Sequence, residues 1–495
     1  MTRTRMDVWN LTHGEGDWPD ALVAYERAVG LLRGLDPPTG QPVEPRGWRF
    51  LAAIHGIANA AGDADTSNPM WSNCQHGSWF FLPWHRMYLA AFELIVQDVL
   101  DDDGWSLPYW YALDPDDPAT SILPPAFRDI AAGNDLHTTN RSFRANRGDP
   151  LPGGLAPSVT DALNADVFST PAGTTTFGGG ERSTPSFSGG ERGLLEDAPH
   201  GAVHGLVGND YNQAGEPVRR GWMGSFLTAG LDPVFWLHHA NIDRMWQVWL
   251  DLDPANLNPT GDPAWFDTEF SFPAATGGDV TWSVGEVLDT VALGYEYEKT
   301  TAPRGVAPMP VPAGGGPDIG LGGVDMTNPL APQTLGATPD VALSSTQPVP
   351  VELDQPVDFG LGAGADAGDG RVFLRIEGIT GTIGAAVYDV YLNVPSGDSP
   401  SDHPELRAGS VSTFGMIEAS MSDDVHDGSG ITSVLDITRV RDVLANEGQW
   451  DPNRVNVTFE PVIPEPVDYQ EGAELDSMAA IPADLRAARV AVVTT

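Results

Sequence analysis

The sequence predicts a mainly α domain followed by a smaller, β-sandwich-like C-terminal domain. Three observations predict it. Amphipathic segments and 9 of the 11 histidines fall within residues 1–300, a stretch dense in Pro and Gly occupies 301–345, and short alternating apolar runs fill 346–465. A chain of 495 residues also exceeds what one ordinary core organises, so at least two domains are expected.

The segment WRFLAAIHGIAN, from Trp48 to Asn59, carries apolar residues at helical spacing. WHRMYLAAFELIVQDV, from Trp84 to Val99, reads as an amphipathic helix with no Gly or Pro inside. Pro199–Val207 and Pro233–Leu250 read as helices too; Asp232 is placed as an N-cap and Pro233 in the first turn. Residues 165–193 contain GGGER and GGER and read as a surface loop. Neither copy follows a strand or carries the GKS or GKT of a phosphate cradle. The 301–345 stretch has the composition of a linker. Beyond it RVFLRIEGI, AAVYDVYLNV, GSVSTFGMIEAS and RVNVTFEPV alternate between turn residues, with ITRVRDVLANEG as one helix among them. That pattern is sandwich-like. Residues 466–495 form a tail with no assigned structure.

The formal charge of −42 repels nucleic acid and anionic membranes and excludes both as principal partners. No run of about 18 apolar residues exists, so no transmembrane helix is predicted. The first residues do not form a conventional signal peptide, which makes the cytoplasm the default location and leaves export to a carrier partner. Lys299 is the only lysine, and the acidic excess fits adaptation to high salt better than genomic base composition alone. Cys74 is the single cysteine, so no intramolecular disulfide forms.

Spacing singles out two histidine trios. His200 and His204 are four apart in PHGAVHG, so one helix face presents both imidazoles, and His239 on another predicted helix supplies a third. His55, His76 and His85 give the other trio: one on a helix, one in a loop, one opening the next helix. Neutral imidazoles without carboxylates suit Cu, Zn, Fe and Ni alike, so spacing alone yields two histidine-rich metal sites of open identity. His238 adjoins His239 but points about 100° away on a helix and is read as structural. His13, His137, His403 and His426 lack such context.

The stretch HGSWFFLPWHRMYLAAFE, His76 to Glu93, resembles the first copper signature of the tyrosinase and catechol oxidase family. DPVFWLHHANID, Asp232 to Asp243, resembles the second, and aligned so the ligand is His239. The resemblance covers the first 300 or so residues. It implies a four-helix bundle around a dicopper centre, with His55, His76 and His85 on one copper and His200, His204 and His239 on the other. It also implies O2 as co-substrate and a small phenol as substrate. Asp243, one turn after His239, is expected to hydrogen-bond a ligand imidazole. Cys74, two before His76, matches a Cys-x-His pattern in which a thioether joins the sulfur to the imidazole.

Further roles follow from the same resemblance. Glu196 is the candidate to position a proton acceptor, and Phe226 the candidate gate over the site. Strong monophenol hydroxylases of the family carry Asn just after the first ligand of the second copper. Here that position is Gly201, and Gly205 follows His204. This departure favours oxidation of o-diphenols or o-aminophenols to quinones over tyrosine hydroxylation. Tyr295 and Tyr297 resemble the Tyr-x-Tyr that closes the catalytic domain in plant-type enzymes, and the β-rich region resembles their C-terminal domain, which covers the copper site until the linker is cut. A latent proenzyme follows, with an activating protease and a copper-delivery protein as candidate partners. Phe414 and Met416 are candidates for the plugging residue. Two rival classes remain, a haemocyanin-like O2 carrier and a zinc protein using the same histidines.

Overall fold

The computed structural model describes residues 2–11, 18–38, 44–57, 68–170, 173–211, 217–304, 306, 333–343, 349–352, 371–382, 386–422, 428–450, 454–462 and 485–494. Its principal helices are α1 (Asp20–Gly34), α2 (Trp48–His55), α3 (Phe81–Leu100), α4 (Ala156–Leu163), α5 (Gly201–Gly208), α6 (Pro233–Leu252) and α7 (Thr438–Asn446). The four expected helical segments of the first domain correspond to α2, α3, α5 and α6. Among the described residues no helix is long and apolar enough to cross a membrane.

Helix α3 starts at Phe81, before the expected Trp84, because Pro83 falls in the first turn, where its missing N–H costs no hydrogen bond. Helix α6 opens as expected: the Asp232 carboxylate accepts the Val234 N–H at 3.0 Å. Arg141 grips the same carboxylate at 2.7 and 2.6 Å. Helices α3 and α6 meet through Phe92 stacked on Trp236, ring centres 3.6 Å apart. Helix α1 is absent from the sequence expectations, although Leu22, Tyr25, Ala28, Val29 and Leu32 bury one stripe of it. The Tyr25 hydroxyl donates to the Pro233 carbonyl at 2.8 Å, tying α1 to the start of α6.

One constellation locks these helices from outside the site. Strand β1 (Arg3–Arg5) carries Arg5 into the core. There its Nε donates to Glu93 of α3 at 2.8 Å and its Nη1 reaches Asp243 of α6 at 3.5 Å. Asp243 also accepts from Arg86 Nε at 2.6 Å and from the Tyr295 and Tyr297 hydroxyls at 2.7 and 2.6 Å. The expectation that Asp243 orients an imidazole is therefore corrected: helical geometry sets the face it occupies, and that face meets two arginines and two phenols. Burial alone would raise its pKa, but Arg86 and Arg5 outweigh that and hold the carboxyl below its usual range.

Strand β2 (Gly190–Glu191) and strand β3 (Tyr295–Tyr297), which pairs in parallel with β1, complete the strands of the helical part that matter here. The C-terminal region forms two sheets. Its strands are β4 (Gln333–Ala342), β5 (Val349–Glu352), β6 (Val372–Thr380), β7 (Val387–Leu392), β8 (Arg407–Ser412), β9 (Ile431–Asp436), β10 (Arg454–Pro461) and β11 (Arg486–Thr494). One sheet runs β2-β9-β6-β11-β4, the other β8-β7-β10-β5. Two parts of the expected boundaries are corrected. β4 lies inside the stretch read as linker, and β11, a central strand, inside the stretch read as tail. Each short run satisfies its hydrogen bonds on partners distant in sequence, which local periodicity does not report. Most of the remaining linker and tail lies outside the described residues. The 165–193 segment is likewise more than a surface loop: Phe168, Phe177 and Phe187 are buried, and β2 adds a parallel strand to the C-terminal sheet.

Arg5→Ala removes one partner from a buried charge network while leaving Glu93 and Asp243 in place. Unfolding in urea is expected to show a loss of about 3–5 kcal/mol; a loss under about 1 kcal/mol, the range of an exposed pair, would refute the locking role.

Candidate dicopper site

The six expected histidines converge. His55 ends α2, His76 lies in the loop before α3, His85 is in the second turn of α3, His204 is on α5 and His239 on α6. His200 closes a π-helical turn, Glu196–His200, whose Pro199 lacks the N–H that an ordinary α turn would use. The donor nitrogens of His55, His76 and His85 lie within 4.8 Å of one another, as do those of His200, His204 and His239. All six side chains are buried.

Backbone carbonyls orient the rings. Nδ1–H of His55 donates to Phe226 O at 2.9 Å, that of His85 to Phe81 O at 2.8 Å, that of His200 to Glu196 O at 3.0 Å and that of His204 to Met223 O at 2.9 Å. A carbonyl only accepts, so Nδ1 bears the proton and Nε2 keeps a bare lone pair. Nε2 of His55, His76, His85 and His200 has no hydrogen-bond partner among the described residues. His204 and His239 bring their Nε2 atoms to 3.2 Å. Two imidazoles at about 2.0 Å from one tetrahedral metal would stand about 3.3 Å apart, so the donor set fits a metal ion in each trio. Burial lowers the pKa of all six rings, keeping them neutral and able to ligate.

His238 stacks 5.5 Å from His200 and lies outside both trios, as expected. His137 and His403 join neither, while His13 and His426 lie outside the described residues. The Cys74 sulfur sits 3.3 Å from Nδ1 of His76. Phe226 packs its ring 4.0 Å from His76 and 5.7 Å from His55, so it stands against the first trio. Gly205 is buried one residue after His204.

The C-terminal region reaches into the site. The Phe414 ring stacks on His204 with ring centres 4.0 Å and planes 9° apart, and its centre lies 5.6 Å from that of His200 and 4.6 Å from that of Phe226, both at steep angles. Met416, the other plug candidate, is buried in the short helix after it. A Cβ at Gly201 would stand 2.3 Å from Ser412 Oγ, so the glycine is what lets this segment approach. Arg192, part of the second Gly-rich echo, was not among the expected site residues. Its guanidinium donates to Ser412 O at 3.0 Å and to Phe414 O. Only the tertiary contact marks it, because its local sequence is that of a loop.

Glu196 is buried, and both its oxygens accept the Gly77 N–H, at 2.8 and 3.0 Å. Burial raises its pKa to about 8, against the opposing pull of Arg192 at 3.6 Å. Its folded pKa thus lies above the unfolded value, so its stabilising share is present below about pH 4.5 and is lost as pH rises towards 8. Denaturant titrations of copper-free protein between those limits should show stability falling with pH, with a shallower slope in Glu196→Gln. An identical slope in the variant would show that Glu196 stays ionised.

Comparison with known proteins places the chain. The common central domain of tyrosinase matches residues 45–150 and 132–252, and the polyphenol oxidase middle domain matches 260–308. A domain of unknown function matches 334–471. A tyrosinase of Hahella sp. (strain CCB-MM4) is 31% identical over 93% of this chain and 95% of its own length. The chloroplastic catechol oxidase B of Solanum tuberosum is 26% identical over 89% of this chain and 72% of its own length. The chloroplastic polyphenol oxidase II of Ipomoea batatas is 31% identical, but the match spans 57% of this chain and 48% of that protein. Latent apple tyrosinase shares the fold, with a TM-score of 0.61 at 21% identity over 99% of this chain and 97% of its own. The cytoplasmic default is overturned: the plant relatives are chloroplastic proteins, so a cytoplasmic setting does not follow from membership of this group. With two buried histidine trios and a relative matched over nearly its whole length, the chain belongs to the tyrosinase and polyphenol oxidase family of type-3 dicopper oxidoreductases, which oxidise phenols with O2.

Proposed function

We propose that the chain is a latent catechol oxidase whose C-terminal domain occupies the substrate position. The observation that carries this reading is Phe414 stacked on His204. A flat ring parallel to an imidazole of the second trio sits where a phenol would dock, and it has no hydroxyl to oxidise. His55, His76 and His85 would hold one copper and His200, His204 and His239 the other. The copper pair, when bound, supplies O2 binding and two-electron redox chemistry.

The protein's own groups set the rest. Carbonyl anchors on Nδ1 keep the imidazoles aimed inward. Buried aromatic rings, Phe226 and Phe235 among them, surround the centre and exclude water. Glu196, held by the Gly77 N–H, would position a water near the centre to take up a proton. Gly201 supports preference for o-diphenols, since no amide is present there to help deprotonate a monophenol. Gly205 keeps the next helical turn slim. Cys74 and His76 would be joined by a thioether, locking that ring as the metal changes oxidation state. Solved neighbours include enzymes described as latent, and the covered site supports extending that property to this chain. Its release would need a protease acting in 300–345, and loading a copper-delivery protein. The domain division 1–300, linker and β-rich cover is retained as part of this proposal, with β4 and β11 assigned to the cover. O2 carriage is disfavoured by the enzyme relatives.

Oxygen uptake by copper-loaded protein tests the reading. Uptake with 4-tert-butylcatechol is expected to exceed that with tyramine and to rise after cleavage of the connector. Phe414→Gly in the intact chain forfeits a stacking contact worth about 0.5–1.5 kcal/mol and should raise uptake about two- to tenfold without cleavage. Equal rates before and after cleavage, with no effect of Phe414→Gly, would leave the C-terminal domain a purely structural role. Intact mass under denaturing conditions tests the thioether separately: the linked chain is lighter by two hydrogens and resists alkylation, whereas full alkylation of Cys74 excludes it.

A further inference from the structure

Several buried indoles of the helical domain donate their N–H to a backbone carbonyl: Trp48 to Leu231, Trp79 to Arg182, Trp110 to Thr120 and Trp249 to Ala165. Trp84, fully buried beside His85, does not: its N–H has no partner among the described residues, a state that costs free energy. Its ring centre stands 4.8 Å from that of His85 and 5.4 Å from that of Phe272. The Phe272 centre in turn stands 6.4 Å from that of Trp282. Trp84 and Phe272 are buried, whereas Trp282, on the strand Asp279–Ser283 that pairs with Glu269–Pro273, is partly exposed. A line of rings therefore joins a ligand of the first trio to the surface.

Without a bound phenol, oxidising power at the copper pair falls on the nearest electron-rich groups, which include the ligand imidazoles and Trp84. Indole gives up an electron more readily than imidazole. An oxidised indole is a strong acid, but with no acceptor at its N–H the Trp84 ring keeps its proton and stays a cation that a neighbour can refill with an electron. Phe272 is too hard to oxidise to hold the charge, so it serves as the contact between Trp84 and Trp282. Other indoles are poorer stops. The Arg33 guanidinium lies 5.6 Å from the Trp48 ring and that of Arg86 lies 3.9 Å from the Trp246 ring, and like charge disfavours a positive charge on either. Trp236 also lacks an acceptor, but it leads through Tyr88, Phe92 and Trp48 to rings that are buried.

We propose that Trp84 and Trp282 form an electron relay that protects the copper ligands from oxidation. Trp84 gives one electron to the centre, and Trp282 gives one to Trp84. A one-electron reductant in solution, of the ascorbate class, restores Trp282 and releases one proton to water. The net change is one electron from the reductant to the centre, with no bond in the protein broken. The relay depends on the dicopper centre shared by the family and is independent of the preference for catechols.

The test exposes the full-length, copper-loaded chain to hydrogen peroxide without phenol, then maps added oxygen on its peptides by mass spectrometry. Oxygen is expected on Trp282, and less of it when ascorbate is present or copper is left out. In Trp282→Phe the oxidation should shift inward to Trp84 and His85, while the initial rate of oxygen uptake with 4-tert-butylcatechol stays that of the parent chain. Trp84→Phe should spare Trp282 and leave His85 the main target. Trp282→Phe alters a partly exposed ring and carries the test by itself should Trp84→Phe misfold. Equal oxidation of Trp282 in copper-free protein, or unchanged oxidation of His85 in Trp282→Phe, overturns the relay and marks Trp282 as attacked from solution. Absence of catechol uptake, with the copper-dependent pattern of oxidation intact, defeats the catechol reading and keeps the relay.

Discussion

Six imidazoles share one dry, small volume, and every other feature of the site answers to that constraint. Charged rings would repel one another and pay a large desolvation cost, so all must be neutral. Neutral rings in turn need one proton each on a defined nitrogen. Phe226, Phe81, Glu196 and Met223 supply backbone carbonyls that take the Nδ1 proton of four rings and leave their Nε2 lone pairs facing inward. Those carbonyls come from helix turns and from the loop before α6, which explains why the centre depends on helix register rather than on any single flexible side chain.

Register is held by charge on the far side of the helices. Arg86 follows His85, and Asp243 lies one turn after His239, so their ion pair ties the two ligand-bearing helices at residues close to their ligands. Arg5, Tyr295 and Tyr297 complete the knot with both ends of the helical domain. Low dielectric makes such a cluster strong when every group has a partner and unstable when one is removed. The cluster is thus a positional lock, and it lies apart from the chemistry.

The covering domain uses different physics. It enters through main-chain hydrogen bonds, one stacked ring and a shared sheet, with few charged groups buried against the histidines. Phe414 fills the space above His204 while Arg192 and Asp197 hold the chain on which it is carried. A contact of this kind fills the space above His204 and is borne by a stretch of chain far in sequence from the helices that carry the histidines.

Sequence by itself determined the helices that carry the ligands, both histidine trios, the Asp232 cap, Cys74 beside His76 and the change from helical to alternating pattern. The helices, the cap, the His200–His204 pair and the Cys74–His76 pair are written in spacing of a few residues, which local backbone geometry converts directly into a shared face or a turn, whereas the grouping of the more distant histidines rests on resemblance to the two copper signatures of the family. Tertiary structure alone decided what Asp243 meets, that Arg192 leaves its Gly-rich loop to hold the covering segment, that Phe414 rather than Met416 lies over His204, and that β2, β4 and β11 belong to one sheet. These are pairings across tens to hundreds of residues. Periodicity sets which way a side chain points, but the partner it reaches depends on how distant segments pack, and short runs carry no local mark of a distant partner.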